Sequence, residues 1–382
     1  MNTSTADWQF WIDVGGTFTD CLARRPDGAI AAHKLLSTGV YAGAVGPGSS
    51  VGEIVDPRRR GDPDGFLVGF TLRLARSGAG DASRSVRVVA FDAARGALRV
   101  APALPAPPPI GAPYELSCGL EAPVVGIRRL LARPLSEPLG AVRVRLGTTR
   151  GTNALLERRV ATTALATTRG FADILRVGDQ SRPKLFDLHV RKPAPLYRAV
   201  VEIDERVDAA GRVLRALDEA SARESLRAAR DAGAEALAVC LLNSYRNAEH
   251  EQRVAALARD AGFPHVSVSS QLAPLQRIVP RAETTVVDAA LSPVVRDYVE
   301  RLRTQMPDAT LHLMTSAGAL VAAERFVAKD SLLSGPAGGA VGAARAARAA
   351  GFERAIGFDM GGTSTDVSRF DGRFERRRSE ER

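Results

Sequence analysis

One eight-residue pattern occurs twice, and it limits the possible folds more than any other feature of the chain. Asp13-Val-Gly-Gly-Thr-Phe-Thr-Asp20 and Asp359-Met-Gly-Gly-Thr-Ser-Thr-Asp366 agree at six of eight positions, 346 residues apart. Each follows a short apolar run, Phe10-Trp11-Ile12 in the first case and Ala355–Phe358 in the second. Each then enters strand-like residues and an Asp-Gly turn, Asp27-Gly28 and Asp371-Gly372. A motif repeated in the same strand–turn–strand setting implies two half-domains derived from one another.

The composition of the motif points to chemistry as well as to shape. Gly-Gly after a strand lets the backbone turn with N–H groups open to an anion, where a Cβ would block approach. Threonine hydroxyls add donors for phosphate oxygens. The aspartate at the strand end repels phosphate but can orient Mg²⁺ through water, and the ion then bridges to the phosphates. A single copy reads equally well as an ordinary tight hairpin. Two matched copies read as the two sides of a phosphate clamp.

Competing motifs are weak. There is no GxxxxGK[ST] and no GxSxG, and Gly46-Pro-Gly48-Ser-Ser-Val-Gly52 lies in a Pro-broken stretch. The five histidines (33, 189, 250, 265 and 312) show no ligand spacing, and Cys21, Cys118 and Cys240 are too sparse for a disulfide framework. Cys240 lies in the apolar run AVCLL and reads as a buried thiol. The net charge of +9 comes from 48 Arg and four Lys without aromatic interleaving, which argues against nucleic-acid binding. No apolar run reaches the roughly 18 residues of a membrane span, and the N-terminus lacks a secretory pattern. The expected location is the cytoplasm.

Along the chain, Phe10–Val14, Thr19–Arg24 and Ala29–Leu36 read as strands. Residues 39–122 are rich in Gly, Pro and Asp, with strand-like runs at Phe66–Leu74, Val86–Phe91 and Ala97–Val100, and read as an inserted β-rich module. A turn is expected at Ser77–Asp81. From Pro123 the pattern alternates between helix and strand, which makes the whole an α/β protein. Pro123–Leu131 reads as a helix, Val142–Leu146 as a strand, and Gly147–Asn153 as a polar loop. Asp218 and Asn247 are expected to open helices, Ser292-Pro293 to start one running to Met306, and Gly338–Ala350 to form another.

With these segments placed, the chain resembles the hydantoinase/5-oxoprolinase family, A-type subunit or domain, within the actin, sugar-kinase and heat-shock ATPase superfamily. The carrying segments are IDVGGTFTD (Ile12–Asp20), GTTRGTNALLER (Gly147–Arg158), TTRGFADIL (Thr167–Leu175), RPKLFDL (Arg182–Leu188), EIDERVDAAGRV (Glu202–Val213), LLSGPAGGAVGA (Leu332–Ala343) and FDMGGTSTDVS (Phe358–Ser368). The resemblance implies an actin-like (ribonuclease-H-like) ATPase of duplicated half-domains, the second incomplete, carrying a small β-rich insertion. It implies four regions: 1–38 with phosphate loop 1, the insert at 39–122, the remainder of the N-terminal domain at 123–200, and a truncated A-type domain at 201–382.

The resemblance further implies ATP-dependent opening of a cyclic amide through phosphorylation of the amide oxygen, with ATP and Mg²⁺ as cofactors and a B-type subunit or domain as partner. Ketone carboxylation by the same ATP-using half is an alternative. Carried onto this sequence, Gly15, Gly16, Thr17 and Thr19 would form the first phosphate loop and Gly361, Gly362, Thr363 and Thr365 the second. Asp13 and Asp359 would be catalytic and would orient Mg²⁺. Thr148, Thr149 and Asn153 would face the substrate. Gly335–Gly339 either offers a helix N-terminus to an anion or provides small residues for close packing.

Arg150 stands where the family commonly has a small apolar residue, and either supplies a cation near nucleotide or substrate or caps a strand. A sugar or acid kinase of the same superfold, and an inactive binding module, are the rival readings. Because little sequence follows Asp366, residues 1–382 alone are expected to bind ATP weakly, hydrolyse none and tend to aggregate.

Overall fold

The computed structural model describes residues 8–74, 84–179, 193–360 and 365–373. They divide into two compact units: Met1–Arg150 with Val299–Phe326 and Leu333–Arg382, and Gly151–Tyr298 with Val327–Leu332. The expected turn at Ser77–Asp81 lies outside the described residues.

In the first unit a six-stranded sheet is built around strand Gln9–Val14. Across the sheet the order is Leu320–Ala322, Thr310–Met314, Arg143–Thr148, Gln9–Val14, Phe18–Arg24, Ile30–Leu36. Thr310–Met314, Arg143–Thr148 and Gln9–Val14 run parallel, and the other three strands join by antiparallel pairing. Alternation along Phe18–Arg24 buries Thr19, Cys21 and Ala23 on one face. Helix Ala122–Leu130 covers that face, and Gly126 permits the close approach, since a Cβ there would lie 2.5 Å from Cys21 Sγ.

A second six-stranded sheet, fully antiparallel, follows in the same unit. Its order is Tyr41–Ala44, Pro113–Ser117, Thr71–Leu74, Arg84–Asp92, Ala97–Ala101, Glu53–Val55. Phe66, Leu67, Phe70, Leu72, Leu98 and Leu116 are fully buried in its core. The strand expected over Phe66–Leu74 shortens to Thr71–Leu74, because Phe66, Val68 and Phe70 turn back on Pro63, Gly65 and Leu67 through backbone hydrogen bonds.

Where the two sheets adjoin in sequence, His33 Nε2 lies 2.9 Å from Tyr41 Oη. Burial, with Arg129 and Arg59 adding like charge, lowers the His33 pKa from 6.5 to about 4. The unfolded chain takes up this proton near pH 6.5, whereas the folded chain refuses it until about pH 4. This contribution to stability is therefore complete above pH 6.5 and lost as the pH falls through that window. Thermal melts from pH 7 to pH 4 should show a steeper fall for the wild type than for His33→Gln. Identical slopes would show that His33 does not titrate in this way.

The second unit is a four-stranded parallel sheet, ordered Tyr197–Ile203, Thr163–Thr168, Ala236–Cys240, His265–Val268. Parallel strands covered on both faces read as continuous apolar runs, and every residue of Thr163–Thr168 and Ala236–Cys240 is buried. Leu226 and Ala229 of helix Glu219–Asp231, with Val254 and Leu257 of helix Glu249–Asp260, pack on Ala164, Ala166, Leu237 and Val239. Ala282, Val286 and Ala289 pack on Leu165, Ala236, Ala238 and Cys240 of the opposite face. Asp218 caps its helix as expected, accepting from Ser221 N at 3.0 Å.

Two expectations are corrected here. The helix expected to begin at Ser292-Pro293 instead runs without interruption over Ile278–Gln305, with Pro293 inside. Proline removes one backbone hydrogen bond, but the spacing of Ala282, Val286, Ala289 and Ala290 keeps the preceding turns buried, so packing outweighs the break. The loop expected at Gly147–Asn153 is strand up to Thr148 and helix over Arg150–Leu156.

The second copy of the repeat forms the hairpin Arg354–Met360 and Thr365–Asp371, whose inner face rests on helix Ser334–Ala349. Its outer face shows Ile356, Phe358, Met360 and Val367, each at least 65% exposed. Among the described residues, no helix is long and apolar enough to cross a membrane.

Candidate functional site

Asp13 stands at the end of the central strand, level with Asp20 on one neighbour and Gly147 on the other. Gly147 leaves room for it, since a Cβ there would lie 3.4 Å from Asp13 Oδ1. The turn that follows is tight: Gly15 N donates to Phe18 O at 3.0 Å, and a Cβ on Gly15 would sit at the same distance from that oxygen. Gly16 and Thr17 are exposed at the tip.

Ser37, which the sequence did not single out, braces the loop from beneath. Its Oγ donates to Gly15 O at 2.7 Å and its N donates to Thr17 O at 2.9 Å. Thr19 is fully buried, with its Oγ1 3.0 Å from Ser37 Oγ. In this arrangement Thr19 supports the loop, and the surface offered to an anion is Gly16 and Thr17.

Electrostatics tie the two repeats together. Partial burial raises the Asp13 pKa above the ordinary 3.8, and the carboxylates of Asp20 and then Asp359 raise it further, against Lys34. Asp20 is itself paired with Lys34 at 2.9 Å. Asp359 thus lies close enough for its carboxylate to disfavour the charge on Asp13. Asp359 and Thr365 are exposed near the hairpin turn, whereas Gly361, Gly362 and Thr363 lie outside the described residues. No group of three or more Asp, Glu, His or Cys among the described residues is arranged to hold a metal. A pair of hard carboxylates that repel one another suits an ion that keeps most of its own water, which is the habit of Mg²⁺.

The expected substrate-side residues divide. Thr148 is buried and its Oγ1 accepts from Arg150 N at 3.2 Å, fixing the turn into the next helix. Thr149 donates from both N and Oγ1 to Val14 O, at 3.0 and 3.2 Å, which anchors it one residue from Asp13. Asn153 lies within helix Arg150–Leu156 and in the other compact unit. Helix Ser334–Ala349 starts four residues earlier than expected, so Gly335–Gly339 fall inside its first turns. Ser334 Oγ donates to Thr148 O at 3.0 Å, and a Cβ on Gly335 would meet Thr149 Cγ2 at 3.7 Å. Gly335 thus lies against Thr149 and Gly338 against Met314, at 3.8 Å from an added Cβ, whereas a Cβ on Gly339 would meet nothing within 4 Å.

Comparison with known proteins agrees with this architecture. The hydantoinase/oxoprolinase N-terminal region matches residues 9–63 and 113–262, and the hydantoinase/oxoprolinase domain matches 281–382. The unmatched stretch 64–112 falls within the antiparallel sheet. The chain is 42% identical to 5-oxoprolinase 1 of Arabidopsis thaliana over 67% of its own length and 23% of that protein. It therefore spans about a quarter of the length of such relatives. An acetone carboxylase solved without nucleotide superposes with a TM-score of 0.66 at 19% identity, covering 95% of this chain and 44% of the other. The ATP-dependent caprolactamase from Pseudomonas jessenii gives 0.61 at 23% identity, covering 94% and 43%. These likenesses agree with the α/β, actin-like fold class that the family resemblance implied. The family matches extend over most of the sequence, and the chain belongs to the hydantoinase/oxoprolinase family.

Proposed function

We propose that this chain is the ATP-using part of an enzyme that opens a cyclic amide of the 5-oxoproline or hydantoin type. The observation that carries the reading is that the charge of Asp359 is felt at Asp13, the same position of two repeats from opposite ends of the sequence. Identity to 5-oxoprolinase 1 supports the substrate class. Gly16 and Thr17, with Gly361, Gly362, Thr363 and Thr365 across from them, would receive the phosphates. Thr149 would border the substrate, with Thr148 fixing the turn beside it.

A lactam resists water because resonance places electron density from nitrogen on its carbonyl. When the amide oxygen takes the γ-phosphoryl group from ATP, ADP is left and the carbonyl carbon becomes attackable. One water adds, and the C–N bond breaks to give an amine and an acyl phosphate. A second water hydrolyses that acyl phosphate to the carboxylate and phosphate. Mg²⁺, held by Asp13 and Asp359 through water, would offset phosphate charge. Asp13 and Asp359 would orient the phosphates, and Ser37 would keep the first loop in shape.

The rest of the enzyme, including a B-type subunit or domain, would complete turnover, in a cytoplasmic setting suited to three unpaired cysteines. A second reading, ketone carboxylation, is favoured by the likeness to acetone carboxylase. The deciding experiment is phosphate release by the complete enzyme over a panel of lactams, hydantoins and ketones. Stimulation by cyclic amides is expected. Stimulation by ketones with bicarbonate alone would replace the proposal with the second reading.

A further inference from the structure

The chain first passes from the first compact unit to the second between Arg150 and Gly151, and returns between Tyr298 and Val299, inside helix Ile278–Gln305. On the first-unit side of both crossings stands one carboxylate. Arg150 Nη2 donates to Glu121 Oε2 at 2.6 Å, and Arg301 Nε donates to Glu121 Oε1 at 2.7 Å. Gln305, one helical turn beyond Arg301, accepts from Glu121 N through its Oε1 at 2.8 Å. Glu121 is thus held by side chain and backbone at once, with 12% of its side chain exposed. It precedes helix Ala122–Leu130 at the cap position, yet its side chain makes no bond to that helix. Both of its oxygens go instead to the two arginines.

This tie reaches the candidate site through the turn that Arg150 completes. Arg150 N donates to Thr148 Oγ1 at 3.2 Å, and Ser334 Oγ donates to Thr148 O at 3.0 Å. Next to Thr148, Thr149 donates twice to Val14 O, the carbonyl one residue after Asp13. A fixed Arg150 therefore limits how far Thr149, and with it the Asp13–Gly15 segment, can shift. Two guanidiniums that share one carboxylate would repel each other without it, so loss of the acid turns attraction at this point into repulsion.

Resting on the reading of Asp13 and Asp359 as the two sides of a phosphate site, we infer that Glu121 is a positioning residue for phosphoryl transfer. By holding Arg150 and Arg301 together it fixes the chain at its two crossings and keeps Thr149 and the first loop in place. Placement of this kind acts on the chemical step more than on uptake of nucleotide, because a displaced loop still binds phosphate in a less reactive pose.

The test is steady-state phosphate release by the complete enzyme, with kcat and KM for Mg-ATP measured well below the melting temperature and melting curves taken on the same samples. Glu121→Gln should lower kcat by about 10-fold while KM changes less than about 3-fold. Arg301→Met, at a side chain 46% exposed, should give a smaller fall, and it keeps the test open should Glu121→Gln fail to fold. Arg301→Lys should restore most of that fall, since an ammonium can still meet Glu121. Both residues act through one tie, so Glu121→Gln/Arg301→Met should lose no more than Glu121→Gln alone. Arg133→Ala, which breaks the separate pair with Glu137, should leave kcat unchanged. Asp13→Ala is measured alongside. Unchanged kcat in Glu121→Gln and Arg301→Met, with Asp13→Ala strongly impaired, overturns the positioning role and leaves the phosphate reading standing. A lower melting temperature with kcat and KM unchanged assigns the three groups to stability alone and overturns it too. Losses that multiply in the double variant overturn the shared tie. Full turnover in Asp13→Ala overturns reading and inference together.

Discussion

In the complete enzyme, Asp13→Ala or Asp359→Ala is expected to lower ATP hydrolysis by on the order of 10²–10³-fold or more, the scale of losing one group aimed at developing charge. The same position carries a second, opposite expectation. Burial, Asp20 and Asp359 all raise the Asp13 pKa, so its ionised form opposes folding. That penalty begins as the pH rises above the ordinary value of 3.8 and is complete once the pH exceeds the raised folded value. Asp13→Asn should therefore melt at a higher temperature than the wild type at pH 7 without Mg²⁺. The difference should shrink when Mg²⁺ is added, because only the wild type gains a counter-charge. Melting curves with and without the ion, beside phosphate-release assays, check both halves. Undiminished turnover in both alanine variants would remove the clamp from the mechanism.

The largest stability effect is expected at Arg281. Its side chain is fully buried, 3.7 Å from Glu251 Oε1, which is buried as well. Arg281 Nη1 donates to Ser269 Oγ at 2.8 Å and to Ser244 Oγ, and Nη2 donates to Leu241 O at 2.9 Å. Glu251 accepts from Leu241 N, Ser269 Oγ and Ser270 N at 2.8, 2.6 and 2.9 Å. These bonds tie together the chain segments that leave the C-terminal ends of two neighbouring strands. Arg281→Met leaves a buried carboxylate without its cation and should cost about 3–5 kcal/mol in urea unfolding. The double variant Arg281→Met/Glu251→Gln should recover part of that loss, since no charge then remains buried. A single-variant cost below about 1 kcal/mol would mean that water reaches Glu251 in the folded chain.

The parts of this protein that its sequence disclosed are those governed by local pattern. The first hairpin, the buried apolar run around Cys240 and the helix opened by Asp218 follow from alternation, apolar runs and capping chemistry. Strands Tyr41–Ala44, Glu53–Val55 and Pro113–Ser117 carry no such signal. They are three to five residues long, two of them contain Gly or Pro, and they become strands only through distant partners, as Tyr41 does with Leu116. Pro293 misled for the complementary reason, because a local breaker was outweighed by a buried face.

The site shows the same division. Asp13 and Asp359 are legible because the motif repeats. Ser37 is not, since its decisive contact joins residues 22 positions apart. Arg150 was visible as a departure from the family pattern, but its direction and partner came only from the folded chain.

The two copies of the motif occupy equivalent places in the sequence yet hold unequal places in the energy of the fold. Phe10, Ile12 and Val14 are at most 4% exposed, whereas their counterparts Ile356, Phe358 and Met360 are at least 65% exposed. Within residues 1–382, the strand before the first loop sits in a core, whereas strands Arg354–Met360 and Thr365–Asp371 keep an uncovered outer face. Backbone amides of those two strands should, in this span alone, exchange with solvent far faster than those of Gln9–Val14 and Phe18–Arg24. A ligand gripped by both aspartates would then bind a rigid jaw and a compliant one, and part of its affinity would be spent in ordering the compliant side. Stiffening that hairpin, rather than adding contacts at the loops, becomes the direct route to tighter nucleotide binding.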